Sequence, residues 1–387
     1  MINNIINRGN SVLYFIMLFI SSCAKPDIVS INHEMSLFAF IISDNNLDDH
    51  TDYIENDLVN GLKGCPTGTE LFLYIDRQKD APSLKHLFLL ESGKVGINII
   101  TQYNEQCSTS PTVFRDVLNT MIDKSSGNQY GLIYWSHGNG WLPGLRPDNG
   151  LRYPTRALGS DGIYSMDIED MSNVLLENKT PLFIVLDACF MGAVEVAYTL
   201  RNSTYYLIAS PAETLGLCFP YHLMIPELIK GSQESLSHSL DKYLDYCYSD
   251  YYNDGTISGM ASLIDCTQME SLASAFRNIM INHKYGITKD SIQSFDCTYP
   301  HIYYDLGDFA HNIATDSLAL SLFDHQMCKT VVHKVTTPSV FTQTGGRDSM
   351  LTIKNCSGLS TYIFGTTPIY DNAYKQTEWY VNCYGKK

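Results

Sequence analysis

This chain of 387 residues has 11 cysteines, yet no two of them stand in a C-x-x-C pair. That absence removes the thioredoxin-type redox couple and the zinc ribbon, both of which need that spacing. Basic residues are also scarce, with 26 Lys and Arg against 41 Asp and Glu and a formal charge of −15. Binding nucleic acid demands basic patches that neutralise phosphates, so nucleic acid is excluded as a partner, and most of the acidic excess reads as solvated surface. No apolar run, the N-terminal one included, approaches the ~20 residues a membrane span requires. There is no EF-hand type loop, so no metal site and no cofactor is read from the residues. Internal repeats and low-complexity tracts are absent too.

The N-terminus has a short polar start with Arg8, an apolar core Val12–Ile20 and the sequence Ile20-Ser21-Ser22-Cys23. This reads as a secretory signal, residues 1–22, ending in a lipobox, with Cys23 as the lipidated first residue of the mature chain. An ordinary signal peptide with an incidental Cys is the alternative. Residues 23–34 then form the lipidated Cys and a tether, which places the protein in the cell envelope, the periplasm or at the cell surface. Apart from Cys23 and Cys189, nine cysteines remain, an odd number at wide spacings, and few or none are expected to be essential as disulfides.

Strand-like runs at Ser36–Ile42, Glu70–Ile75, Tyr130–Trp135, Leu182–Leu186 and Tyr206–Ala209 alternate with helical patterns at Asp49–Leu62, Pro111–Lys124 and Met166–Leu176. Such alternation predicts an α/β domain over 35–245, a mostly parallel sheet with helices on both faces. From 246 to 387 the pattern changes to helices at Gln268–Ile281 and Asp305–Ser317, followed by strands at Thr330–Val335, Ser349–Lys354 and Ser360–Phe364. These either extend the sheet or form a smaller C-terminal α/β extension.

Two of the apolar runs end on reactive side chains. Tyr130-Gly-Leu-Ile-Tyr-Trp-Ser-His137 and Pro181-Leu-Phe-Ile-Val-Leu-Asp-Ala-Cys189 each read as a buried strand emptying into a turn. In an open parallel sheet, ligands bind at the carboxyl edge of the strands, so adjacent strands would bring His137 and Cys189 together there. The pair has the chemistry of a cysteine peptidase. A free thiol near pKa ~8.5 is mostly protonated at neutral pH and needs a base or a helix N-terminus to favour the thiolate. His137 would be that base and later protonate the leaving amine. The helical stretch Gly192–Leu200 would begin just after the Cys, and no third orienting residue is apparent. Gly138 lets backbone approach a substrate, which makes the amides of Gly138 and Cys189 the oxyanion donors. A phosphatase loop is ruled out because Glu195, not Arg, stands six residues after Cys189.

His137 precedes Cys189 by about 50 residues, the caspase-type order. His137-Gly-Asn-Gly-Trp141 and Asp187-Ala-Cys189-Phe-Met-Gly192 resemble the clostripain family of cysteine peptidases, relatives of gingipains, legumains and caspases. Asp44-Asn45-Asn46-Leu47, Tyr304-Asp305-Leu306-Gly307-Asp308-Phe309 and Ser357-Gly358-Leu359-Ser360 are similar to further signatures of that family, so the likeness spans nearly the whole mature chain. The resemblance implies a caspase-like fold and peptide or protein substrates cleaved after Arg or Lys. It also implies that Asp187 sits in the pocket for the basic side chain, with Ser210 and Glu213 from the next strand as further pocket residues. A cap on the following helix is the competing role for Asp187. Processing between the catalytic motifs, as in the family, makes Arg152 and Arg156 the self-cleavage candidates, although a loop that stays intact and covers the site is also consistent. Calcium enters only through the resemblance, with no site identified. A non-catalytic surface lipoprotein that binds protein or glycan, and a transpeptidase using the same acyl-enzyme, are the rival readings.

Overall fold

A computed structural model describes residues 35–143, 158–217, 219–249, 256–284, 286, 288–344 and 347–384. The expectations at Cys23, the tether, Arg152, Arg156 and Cys218 lie outside the described residues. In chain order the strands are β1 (Met35–Ser43), β2 (Glu70–Arg77), β3 (Asp80–Leu89), β4 (Val95–Gln102), β5 (Gln129–Trp135), β6 (Leu158–Asp161), β7 (Tyr164–Met166), β8 (Phe183–Asp187) and β9 (Tyr206–Ala209). They continue with β10 (Met260–Asp265), β11 (Tyr304–Asp305), β12 (Val331–Thr336), β13 (Ser339–Thr344), β14 (Arg347–Thr352) and β15 (Ser360–Thr361).

Nine strands form one sheet in the order β12-β10-β9-β8-β5-β1-β2-β3-β4. Its centre, β9-β8-β5-β1-β2, is parallel, and antiparallel pairs complete both sides. The central strands are unbroken apolar runs because both faces are covered by helices. Alternation along β1 sends Phe38, Phe40 and Ile42 into one core and Leu37, Ala39 and Ile41 into the other. The first core includes side chains of the helices Pro111–Lys124, Ile168–Leu176 and Met269–Ile281, and the second those of Thr51–Lys63, Tyr221–Leu228 and Gln233–Cys247.

The five strands expected for the parallel sheet are all present and adjacent. The sequence left open where the later strands go: β10 and β12 join the main sheet, whereas β13 and β14 pair with each other as a separate hairpin. The antiparallel edge formed by β3 and β4 went unread, since Pro82, Lys85 and His86 interrupt the first and the second is largely solvent-facing. The helix expected over 305–317 is shorter, Leu306–Ile313. A new helix starts at Ser317 because the Asp316 carboxylate accepts from the amides of Leu318 and Ala319.

Candidate active site

The register of the central strands builds the site. β5 and β8 pair in parallel with Trp135 opposite Asp187, and β1 pairs with β5 with Ile41 opposite Trp135. His137 and Cys189 each stand two residues beyond a paired strand end, so they emerge side by side at the carboxyl edge. Both line a cavity of about 470 Å³ together with Asn46, His50, Trp135, Gly138, Asp187, Glu213, Thr214, Gly216, Phe341 and Gln343, among others.

Close packing explains the glycines of the two motifs. A Cβ on Gly138 would fall 2.6 Å from the Cys189 carbonyl oxygen, and one on Gly192 would fall 2.5 Å from the Pro211 nitrogen. Any other residue at either position would push the two loops apart. Between them Phe190 adopts φ of 62°, a conformation unusual for a side chain other than glycine. Its amide donates to Ala212 O at 3.0 Å, and its ring stacks on Tyr303 at 4.1 Å between centroids. The Tyr303 hydroxyl donates to the Asn139 carbonyl at 2.7 Å, so one buried tyrosine ties the loop of Cys189 to the loop of His137.

The segments resembling later family signatures also meet here. Asp305 caps the helix Leu306–Ile313 through the Asp308 amide and accepts from the Ser357 amide at 2.5 Å. Ser360 N–H in turn donates to the Gly192 carbonyl at 3.0 Å. These segments brace the turn after Cys189 and do not line the cavity.

Cys189 is half-buried, and its Sγ accepts from the Thr214 amide at 3.3 Å. Burial pushes the thiol pKa up, the Thr214 amide and hydroxyl work against that, and the nearby Glu213 and Asp187 charges add to the rise. The ring of His137 meets Asn46, with Nε2 lying 2.7 Å from Oδ1. Among the described residues, nothing accepts from the backbone N–H of Gly138 or Cys189.

Asp187 is 2 % exposed. It accepts from the Tyr221 hydroxyl at 2.8 Å and from the Phe219 amide, and burial pushes its pKa up to about 7 against both. No basic side chain pairs with Asp187 among the described residues, which leaves it open to a cation from a substrate, and it caps no helix, since Ala193 is the N-cap of the short helix Val194–Thr199. Glu213 lines the cavity as anticipated, and burial raises it to about 7 as well. Its carboxylate accepts from the Gln343 amide at 2.5 Å, holding the β13–β14 hairpin against the cavity. Ser210 does not line the cavity. Its hydroxyl donates to Ala212 O at 3.1 Å and accepts from the Ala212 amide at 3.2 Å, within its own turn.

Asn46, Phe341 and Gln343 are among the cavity contributors that escaped sequence reading. Asn46 carried a signal, because Asp44-Asn45-Asn46 follows a strand that pairs with β5. Phe341 and Gln343 carried none, for they arrive on a hairpin over 150 residues from the Cys. Among the described residues no group of three or more His, Cys, Asp or Glu is placed to hold a metal ion, and no helix is long and apolar enough to cross a membrane.

Known proteins agree with this arrangement. The sequence model of the clostripain family matches residues 39–384. A secreted C11 cysteine protease from Bacteroides thetaiotaomicron, solved with an irreversible peptide inhibitor, is 26% identical with a TM-score of 0.81, over 90% of this chain and 98% of that one. An inactive zymogen C11 protease from Parabacteroides distasonis is 26% identical with a TM-score of 0.79, over 91% and 98%. No curated protein matches by sequence. With the family signatures gathered around one cavity and the match running through nearly all of the described residues, the chain belongs to the clostripain family of cysteine peptidases.

Proposed function

We propose that this peptidase is a secreted, lipid-anchored endopeptidase that cuts after Arg or Lys through a dyad of Cys189 and His137. The observation that carries the specificity is Asp187, a buried carboxyl at the wall of the cavity that also holds Cys189 and His137. A buried carboxylate is costly without a counter-charge, and a substrate guanidinium or ammonium would supply one. Glu213, on the same cavity, adds a second carboxyl for the substrate. Ser210 retains at most an indirect part in the pocket, by shaping the turn that leads to Glu213.

The chemistry begins with removal of the thiol proton, which burial opposes. His137 takes the thiol proton as sulfur attacks the scissile carbonyl carbon, and the carbonyl π electrons move to oxygen. The amides of Gly138 and Cys189 donate to that oxyanion. As the C–N bond breaks, the imidazolium returns its proton to the leaving amine and leaves an acyl-enzyme, which water then hydrolyses. No cofactor takes part in these steps. The zymogen form of the Parabacteroides relative supports a processing step here too, with self-cleavage after Arg152 or Arg156. Anchoring through Cys23 rests on the lipobox, and secretion is supported by the secreted Bacteroides relative.

Digesting a diverse peptide library with mature protein and reading the cut bonds by mass spectrometry tests class and specificity together. Cuts confined to bonds after Arg and Lys, and lost in Cys189→Ala, are the expected result. Cuts without basic preference would overturn the role given to Asp187.

A further inference from the structure

We infer that Tyr303 is a positioning residue for the oxyanion, setting the separation of the Gly138 and Cys189 amides; this rests on the dyad and the donors proposed above. Two amides that stabilise one oxyanion must both come within about 3 Å of it. Here they sit on two different loops, after β5 and after β8, so no local backbone rule fixes their separation. Tyr303 does not line the cavity, but it touches the residue that follows each donor. Its hydroxyl donates to the Asn139 carbonyl at 2.7 Å and lies 2.9 Å from Asn139 Oδ1. Its ring lies on Phe190, 6° from parallel at 4.1 Å between centroids. Gly140, with φ of 57°, passes so near that a Cβ there would fall 2.9 Å from both Tyr303 Cε1 and the Phe190 carbonyl oxygen. The tyrosine is thus a spacer with one catalytic loop against its hydroxyl and the other against its ring.

The spacer is itself held from behind. Asp296, 1 % exposed like Tyr303, accepts on one carboxylate oxygen from the amides of Ile302 at 2.8 Å and Tyr303 at 2.9 Å, and its other oxygen lies 2.6 Å from His301 Nδ1. The Phe295 amide donates to the Tyr303 carbonyl at 2.8 Å, so the main chain of Tyr303 is bonded on both sides. On the Cys189 loop the link is Phe190, whose φ of 62° costs conformational energy and persists only where its surroundings enforce it. Its own amide is spent on Ala212 O, which leaves the Cys189 amide as the donor of this turn that a substrate oxygen can use. The Tyr303 ring opposes relaxation of Phe190, and the Tyr303 hydroxyl holds Asn139 and with it Gly138. Loss of either contact would let the two donors drift apart.

Two reagents that meet the same thiol separate this role from a general loss of structure. A peptide aldehyde adds the Cys189 sulfur to its carbonyl carbon and places the resulting oxygen on the donors. Iodoacetamide instead loses iodide to the thiolate at a saturated carbon and forms no oxyanion. The test measures kcat/KM on a peptide the enzyme cuts, Ki for an aldehyde of the same sequence, and the rate of Cys189 alkylation followed by mass spectrometry. It compares wild type with Tyr303→Phe, which keeps the ring, and Tyr303→Leu, which loses ring and hydroxyl, at a temperature below the onset of all three thermal melts. Tyr303→Phe is expected to lower kcat/KM by about 10-fold and Tyr303→Leu by about 10²-fold, the cost of a displacement of ~1 Å. Each loss should be matched by a rise in aldehyde Ki, with alkylation still near the wild-type rate. Alkylation that slows as much as turnover would overturn the inference, because the loss would then lie in the dyad or the fold. An aldehyde Ki that stays put while turnover falls, or unchanged turnover in both variants, would overturn it as well. If turnover survives in Cys189→Ala, the dyad itself fails; if turnover depends on Cys189 and one of those patterns appears, only the role of Tyr303 falls.

Discussion

Two buried carboxyls, Asp76 and Asp187, end neighbouring regions of the same sheet and have been given opposite surroundings. Each is the acidic residue at or next to the carboxyl end of a parallel strand, each is at most 2 % exposed, and burial pushes each up to about 7. Asp187 has a tyrosine hydroxyl on one oxygen and opens onto the cavity of Cys189. The one group acting to lower the pKa of Asp76 is the Ser108 hydroxyl, which Tyr74 shares at 2.6 Å, and the charges around it are the like-signed Asp161, Glu105 and Asp44. A raised carboxyl pKa therefore marks burial and does not by itself mark function. Access to a substrate cavity separates the two.

The sharpest way to break that comparison is to remove the chemistry and leave the electrostatics. Cys189→Ala and His137→Ala should each lower kcat/KM by at least ~10³-fold while the protein stays folded, because among the described residues Cys189 is the one thiol on the cavity and His137 the imidazole on the strand end paired beside it. Steady-state assays beside circular dichroism check it. Robust turnover in purified Cys189→Ala would detach Asp187 from any catalytic centre, and the contrast with Asp76 would lose its meaning.

Removing each acid in turn is expected to separate the two regions. Asp187→Asn should cost ~2 kcal/mol of transition-state stabilisation, roughly 30-fold in kcat/KM, on peptides with Arg or Lys before the scissile bond, and distinctly less on neutral ones. Asp76→Asn should leave both classes of peptide unchanged. The wild-type pH dependence sharpens the point: as pH rises through about 7, Asp187 ionises and KM for basic peptides should fall, an effect absent from Asp187→Asn. Equal losses on basic and neutral peptides would make Asp187 structural, like Asp76.

Stability should show the reverse ranking. The folded pKa of Asp76 is raised from 3.8 to about 7, so between those values the folded chain keeps a proton that the unfolded chain has lost. Its contribution is fully present below the unfolded pKa and is lost as pH rises through about 7. Asp76→Asn should remove this dependence, with denaturant melts at pH 5 and pH 8 differing by on the order of 2 kcal/mol less than in wild type. Glu195, buried and also raised to about 7, acts with the same sign and should persist in that variant. Parallel pH profiles in the two proteins would show that Asp76 finds a partner in solution.

How much of this was legible follows from where each signal lies. His137 and Cys189 were readable because each closes a local apolar run, and parallel pairing in register turns two local signals into one site. The five central strands were readable for the same reason. Asn46 was visible only as a polar turn, since its value lies in a contact across 91 positions. The Tyr221 hydroxyl from which Asp187 accepts was not foreseen, because it comes from a helix that pattern reading had not placed. The cavity wall made by Phe341 and Gln343 depends on a hairpin whose outward strand is mostly exposed, which leaves little periodicity to read.

The smallest expected effects concern the two acidic-loop residues first read as pocket candidates, and they divide the loop as the aspartates divide the sheet. Ser210 is 1 % exposed and spends its hydroxyl on both backbone groups of Ala212, so Ser210→Ala should cost about 1 kcal/mol of stability with kcat/KM nearly unchanged. Glu213 faces the cavity and also accepts the Gln343 amide that holds the hairpin. Glu213→Gln keeps an acceptor for that amide but no charge for a substrate. It should therefore leave stability nearly unchanged and lower kcat/KM on basic peptides by only a few-fold, less than Asp187→Asn, because Gly216, Thr214 and the hairpin keep the pocket shaped. Comparing the two variants on one Arg peptide and one neutral peptide, with melts on both, checks the division. A larger kinetic loss in Ser210→Ala than in Glu213→Gln would mean that the turn, and not the carboxyl it presents, sets the pocket.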